Sequence, residues 1–361
     1  MEPAICFQDL SAMGDQIRVC EIEDGLSLYH YKTCTKDSDN LLKQVRGIVF
    51  DANNNLIMRG FPYTQEFIAS DNLSTELNVN LKDFRTFASF EGTIIRVFFY
   101  NKWYVSTHKK LNAMNSYWAG EESFEEIFRR GVENVINTTE FKRDFVDYES
   151  FFNTLDKSKQ YMFLVTPTAD TRIVSIGRGP TVFHVGTFVN NVFTMDESIG
   201  FPRPSELFFN SIDELSKYVS GQNPLYLQGV ILMGQSGFYK VVNNAYAVLA
   251  EIRGNQPSLA MRYIELKRDK DPNLAYFCNM YADKTDLFKN IELRLFEIAR
   301  NVHNVYMQRF IHKKFAVVTP ERYSILKKCH NFYKTHRQPI TFEIVYMILL
   351  QQKPRFLAKL V

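Results

Sequence analysis

Arg46, Lys240 and one basic turn are the residues of this chain best suited to chemistry on phosphates. Arg46 opens Arg46-Gly47-Ile48-Val49-Phe50, an apolar run that reads as a strand. A guanidinium there fits a pair of phosphate oxygens; the alternative is a surface arginine beside a strand. Lys240 sits in Phe238-Tyr239-Lys240-Val241-Val242, where it either contacts a phosphate or is a solvated lysine at a strand end. His108, Lys109 and Lys110 follow the aromatics Trp103 and Tyr104. Basic and stacking groups interleaved in this way suit nucleic acid. His108 as a general base lacks a visible partner in the sequence. Farther on, Arg309, His312, Lys313 and Lys314 form one basic cluster, and Lys327, Lys328, Lys334, His336 and Arg337 a second. Phosphate contact is the preferred reading of both, a solvated helical surface the other. Within the second cluster Tyr333 is a candidate for stacking on bases, whereas Phe332 is expected in the core.

Two kinds of element must position these groups. Up to about residue 260 the chain alternates short Val-, Ile- and aromatic-rich runs with turn residues, a pattern of strands. The runs at 94–100 and 103–107, separated by Asn101-Lys102, predict a hairpin. Further strands are expected at 161–165, 172–176, 181–189, 228–233 and 238–242. Inserted helices are expected after Ser123, which is followed by an acidic first turn, and over 144–155 and 211–219. After about Gly254 the period changes. Leu287, Ile291, Leu295, Ile298, Val302 and Val305 recur at helical spacing. Thr319-Pro320 predicts another helix start, and the apolar run after Pro339 a last buried helix. The fold class expected is therefore α+β: an antiparallel β-rich domain over residues 1–260, then an all-α domain over residues 261–361.

Bulk properties narrow the function classes. The chain has 361 residues, 45% hydrophobic and 14% aromatic, enough for two folded domains rather than a disordered tail. No apolar run approaches the roughly 20 residues of a membrane span, and the N-terminal residues do not read as a secretion signal. The five cysteines are widely spaced and contain no Cys-x-x-Cys pair, so neither a disulfide framework nor a zinc site is expected. A reducing, cytoplasmic setting fits. The net charge of +3 is uneven. Residues 261–361 hold 19 Lys and Arg against 9 Asp and Glu, leaving 24 basic and 31 acidic residues for the rest. A basic module on an acidic one points to a polyanionic partner.

Several segments, in order, resemble the phage-type ATP-dependent RNA ligases, a branch of the covalent nucleotidyltransferases. They are Val45-Arg46-Gly47-Ile48-Val49-Phe50, Phe61-Pro62 with Gln65-Glu66-Phe67, Ser89-Phe90-Glu91-Gly92, Thr107-His108-Lys109-Lys110, Phe163-Leu164-Val165-Thr166-Pro167, Gln228-Gly229-Val230-Ile231 and Phe238-Tyr239-Lys240-Val241-Val242. The resemblance implies an ATP-grasp-like ligase domain followed by the helical domain. It places Arg46, Glu91 and Lys240 at a nucleotide, Glu91 accepting from a ribose hydroxyl, and gives His108, Lys109 and Lys110 to RNA.

The departures fall on the family's chemical positions. The family's nucleophilic Lys corresponds to Ser89, which has no amine to form a phosphoramide. Two family Glu positions correspond to Phe163 and Gln228, the second closing Lys to Val242, and an earlier Lys to Gln65 or Glu66. Magnesium binds through carboxylates and phosphate oxygens, and two carboxylates are missing. The expectation is a catalytically degenerate RNA ligase-like protein with no catalytic residue, metal or cofactor of its own. It would act as an RNA-binding subunit, tRNA being the class the family points to, or as a scaffold, in the host cytoplasm or virion of a large DNA virus or phage. One alternative is an active nucleotidyltransferase using another lysine, Lys109 or Lys240. Another is a protein-interaction subunit of a viral transcription or replication complex.

Overall fold

In the computed structural model, residues 5–138, 144–168, 172–174, 179–195, 198–234 and 237–361 are described. The fold class is α+β, with antiparallel sheets followed by helices. The chain divides into two compact units, Met1–Ala250 and Glu251–Val361.

The first unit holds fourteen strands among its described residues: β1 Ile17–Glu23, β2 Leu26–Tyr31, β3 Arg46–Asp51, β4 Leu56–Met58, β5 Thr64–Ile68, β6 Phe84–Ser89, β7 Thr93–Tyr100, β8 Lys102–Ser106, β9 Lys159–Val165, β10 Val182–Val189, β11 Val192–Thr194, β12 Glu206–Leu207, β13 Gly229–Gly234 and β14 Gly237–Val242. They form a four-stranded sheet in the order β1-β2-β3-β4 and two five-stranded sheets, β11-β10-β9-β7-β8 and β12-β6-β13-β14-β5. All pairings are antiparallel except β14 with β5. The β7–β8 hairpin forms as expected, with Tyr100 opposite Lys102. Asn101 turns it at φ +61°, a left-handed conformation that Asn tolerates.

Alternation along the strands decides what faces what. On β9, Tyr161 and Phe163 enter one core with Ile95, Val97 and the helix Phe124–Asn137, while Met162 and Leu164 enter another. That helix starts on Ser123, whose hydroxyl caps the Glu126 N–H while Glu126 reaches back to the Ser123 N–H. The helix expected over 144–155 is shorter, Tyr148–Asn153. The one over 211–219 is Ile212–Ser220, capped by Ser211. At 172–176, Arg172, Ile173 and Val174 form no strand, and Ser175 and Ile176 lie outside the described residues.

The second unit packs helices around one core that includes Ile291, Leu295, Ile298, Val302 and Val305 of the helix Thr285–Tyr306. The helices Pro320–His336 and Phe342–Leu350 follow. Among the described residues no helix is long and apolar enough to cross a membrane.

Candidate functional site

A cavity of about 250 Å³ in the first unit brings together Arg46, Ser89, Glu91, Gln228 and Lys240. Backbone pairing explains the meeting. Ser89 ends β6 opposite Gly229, and the Gln228 N–H donates to the Ser89 carbonyl at 2.9 Å. Lys240 lies on β14, opposite Ile231 of β13 and beside Glu66 of β5. Ile94 and Leu164, from the other five-stranded sheet, supply an apolar wall.

The polar groups of the cavity are partly committed. The Glu91 carboxylate, 8% exposed, accepts from the backbone N–H of Ile173, from that of Val174 at 2.9 Å and from the Tyr246 hydroxyl at 3.2 Å. It clamps its own walls together through these three bonds. Tyr246 also meets the Gln228 side chain, and burial followed by the Glu91 charge pushes its phenol pKa up. Lys240 places its Nζ 3.5 Å from a Glu66 carboxylate oxygen. Burial pulls the amine pKa below its usual value, and Glu66 opposes that shift. Arg46 donates to the Pro62 carbonyl at 3.4 Å. Of Gln65 and Glu66, only Glu66 reaches this cavity. Phe163 faces away from it, and Leu164 is the residue β9 presents here.

Beside the first cavity's Arg46 strand lies a buried arginine that the sequence did not single out. Arg96 is wholly buried and donates to the carbonyls of Gly47 and, at 2.6 Å, Thr107. Burial pulls its pKa down to about 9. It thereby ties the 107–110 turn to the start of β3. Gly47 has φ +82°, and a Cβ there would stand 2.8 Å from the His108 carbonyl oxygen and 2.9 Å from Arg96 Nη1, so this crossing requires glycine. His108 Nε2 is buried with no hydrogen-bond partner among the described residues. Burial, then Arg46, Arg96, His30 and Lys109, hold its pKa well below the usual histidine value. The residue as a whole is half-buried, its Nε2 turned inward. Lys110 pairs with Glu21 at 3.0 Å, and Lys109 remains exposed. The missed signal is an arginine set in the apolar run of β7.

In the second unit the two basic clusters meet at His330, through Lys313 of the first and Lys334 of the second. The helix Thr285–Tyr306 passes into a π-helical turn, Met307–Ile311, which aims Arg309 over the Tyr323 ring at 5.6 Å and stacks Phe310 on His330 at 4.1 Å. His330 feels both Lys313 and Lys334, which add to burial in lowering its pKa. Lys313, Lys314, Lys327, Lys334 and Arg337 are exposed, as are Tyr323 and Tyr333. Lys328 donates to the Gln352 side chain. Phe332 is partly buried against the core and stacks on His336 at 4.2 Å. Among the described residues no group of three His, Cys, Asp or Glu is placed to hold a metal ion.

No protein-family model matches the chain. It is similar to the immediate-early protein ICP-46 homologue of Invertebrate iridescent virus 3, at 29% identity over 283 residues, 75% of this chain and 61% of that protein. The chain thus spans about three fifths of that relative's length. It is 28% identical to the ICP-46 homologue of Invertebrate iridescent virus 6 over 358 residues, 88% of this chain and 76% of that protein. It is 23% identical to the immediate-early protein ICP-46 of Frog virus 3 (isolate Goorha), over 73% of this chain and 69% of that protein. Among solved structures it is similar to a putative ATP-dependent DNA ligase from Aquifex aeolicus, with TM-score 0.43 and 13% identity over 76% of this chain and 68% of that one. It is also similar to an archaeal ATP-dependent RNA ligase, with TM-score 0.43 and 12% identity over 78% of this chain and 74% of that one.

Proposed function

We propose that this chain is a catalytically degenerate RNA ligase-like protein of a large DNA virus, acting in the host cytoplasm or virion as an RNA-binding subunit. The observation that carries the reading is the meeting of Lys313 and Lys334, from separate stretches of the unit, at His330, with Arg309 over the exposed Tyr323 ring and the exposed Tyr333 ring 6.3 Å from His330. Cations that track a backbone, with rings beside them, are what structured RNA with unpaired bases engages. In class that RNA is tRNA-like, from the resemblance of the motifs. The cavity supports the degenerate half of the proposal. Arg46 and Lys240 could face a phosphate, but Ser89 offers a hydroxyl in place of an amine. The donors do not fit a magnesium-bound triphosphate: Gln228 presents an amide, Glu91 is spent on its walls, and Glu66 holds Lys240.

A second reading is favoured by Lys240, whose buried amine lines the cavity. The unprotonated amine is the form that attacks phosphorus, and burial of Lys240 favours it while Glu66 opposes it. Incubation with α-labelled ATP and magnesium, followed by a denaturing gel, separates the two. The degenerate reading expects no labelled protein; a band that disappears in Lys240→Arg would establish the transferase. Filter binding to folded tRNA tests the RNA claim, and failure to retain tRNA at low salt would make the protein-scaffold role the leading one.

A further inference from the structure

A second cavity, of about 150 Å³, lies across the strand that bounds the first. Along β5 and its approach, Thr64 and Glu66 line the first cavity, while Tyr63 and Gln65 line the second, as strand alternation requires. The two differ in charge. The first balances Arg46 and Lys240 with Glu66 and Glu91. The second is lined by Lys43 and Arg59, and among the described residues no Asp or Glu lines it.

Arg59 is the anomaly. It is only 9% exposed, and its guanidinium meets neutral acceptors: Nη1 donates to the Asn191 carbonyl at 2.6 Å and Nη2 to the Gln44 side-chain oxygen at 3.0 Å. A guanidinium has five N–H donors, so three remain beyond these two bonds. The Phe188 ring lies 5.6 Å from it. A charge taken out of water without a counter-charge is costly, and proteins accept that cost where a ligand supplies the counter-charge. Lys43 forms no ion pair among the described residues and borders the same space. The remaining wall is aromatic, with Tyr63, Phe193, Phe238 and Tyr239. Phe193 also packs on Phe238 at 5.6 Å, which stiffens this apolar side. The volume is below the roughly 300–1,000 Å³ of sites for drug-sized ligands. It suits one anionic group with one ring and is too small for a triphosphate.

We propose that Lys43 and Arg59 form an anion site for a phosphate monoester that carries a flat ring: a mononucleotide, or the 5′-phosphorylated terminal nucleotide of an RNA. The cations take the phosphate oxygens in charge-assisted hydrogen bonds, and the ring lies against Phe193 and Tyr63. The site is independent of the basic surface of the second unit and of any chemistry at Ser89.

Calorimetric titration of the full chain with AMP, adenosine, inorganic phosphate, and a tetraribonucleotide with either a 5′-phosphate or a 5′-hydroxyl tests this. AMP or the phosphorylated oligonucleotide is expected to bind at least about tenfold more tightly than its unphosphorylated counterpart, the value of one charge-assisted bond. Lys43→Gln should lose about tenfold with an unchanged circular dichroism spectrum, and Arg59→Lys should lose as much because it cannot form the planar fork. Equal binding of AMP and the phosphorylated oligonucleotide assigns the site to mononucleotides; tight binding of the oligonucleotide alone assigns it to RNA ends. The proposal is overturned if phosphorylation makes no difference, or if Lys43→Gln binds as the wild type does. Because tRNA retention by the second unit is a separate measurement, its loss would leave this result standing.

Discussion

The Tyr246 hydroxyl donates to the Glu91 carboxylate at 3.2 Å, joining the helix Asn244–Arg253 to the turn after β6. The same carboxylate takes the Ile173 and Val174 N–H groups, so one side chain fastens three separate stretches around the first cavity. An acid in this position is held in place by its neighbours.

Glu91→Ala should therefore destabilise the first unit. It leaves three donors without an acceptor, and each buried unsatisfied donor costs about 1–3 kcal/mol. We expect a loss of about 3 kcal/mol or more by urea unfolding, with Glu91→Gln losing less because one oxygen remains. An unchanged unfolding midpoint in Glu91→Ala would show that the clamp contributes nothing.

Restoring the family's nucleophile should not restore the reaction. Ser89→Lys supplies an amine beside Gln228 and the committed Glu91, yet no added carboxylate holds a metal and no second lysine replaces Val242. Each missing electrostatic group is typically worth a factor of about 100 or more in rate. We expect no labelled protein after incubation with α-labelled ATP and magnesium. Clear self-labelling of the single variant would mean that the remaining cavity is competent.

Stability should fall as the solution is acidified below neutrality. His184 is buried with its Nε2 2.9 Å from the Thr187 hydroxyl. Burial, with Arg203 adding to it, pulls its pKa down to about 3, and that of His108 moves in the same direction. Between about pH 6.5 and pH 3 the unfolded chain takes up a proton on His184 that the folded chain refuses. The stabilisation is thus complete above pH 6.5 and is lost on acidification, at about 1.4 kcal/mol per pH unit for each such histidine. Urea midpoints at pH 7.5, 6.0 and 5.0 should decline, and the decline should be shallower in His184→Gln. A flat profile would mean that these rings take up protons without unfolding.

The features legible in the sequence were those carried by local pattern. The β7–β8 hairpin, the Ser123 cap and the long helix with Ile291, Leu295 and Ile298 follow from turn chemistry and periodicity. The ordered motifs also placed Arg46, Ser89, Glu91, Gln228 and Lys240 in one series, and the cavity gathers them. Pairwise geometry between distant segments was not legible. No pattern announces that Glu91 will meet Val174 and Tyr246, or that Arg96 will be spent on two carbonyls. The alternation of β9 also escaped a motif-based reading, which put Phe163 at the cavity where Leu164 stands. The burial of the lone arginine of β7 and the neutral partners of Arg59 become visible only in the structure.

The basic surface of the second unit should bind RNA through phosphates, with strong dependence on salt. Lys313 and Lys334 lie 21 positions apart in the sequence yet both act on His330, so reversing both should remove contacts from one patch. Each phosphate contact adds roughly 0.7–0.9 to the slope of log affinity against log salt. Lys313→Glu with Lys334→Glu should therefore lower that slope by about 1.4–1.8 and weaken binding to RNAs of different sequence alike, because phosphate contacts position without reading bases. Tyr323→Ala should act differently. It removes a ring that can stack, together with the seat of Arg309, so it should weaken binding to unpaired RNA more than to a duplex while leaving most of the salt slope in place. A slope unchanged by the double reversal would mean that these lysines are merely solvated, and the unit's positive charge would then be available to an acidic protein partner.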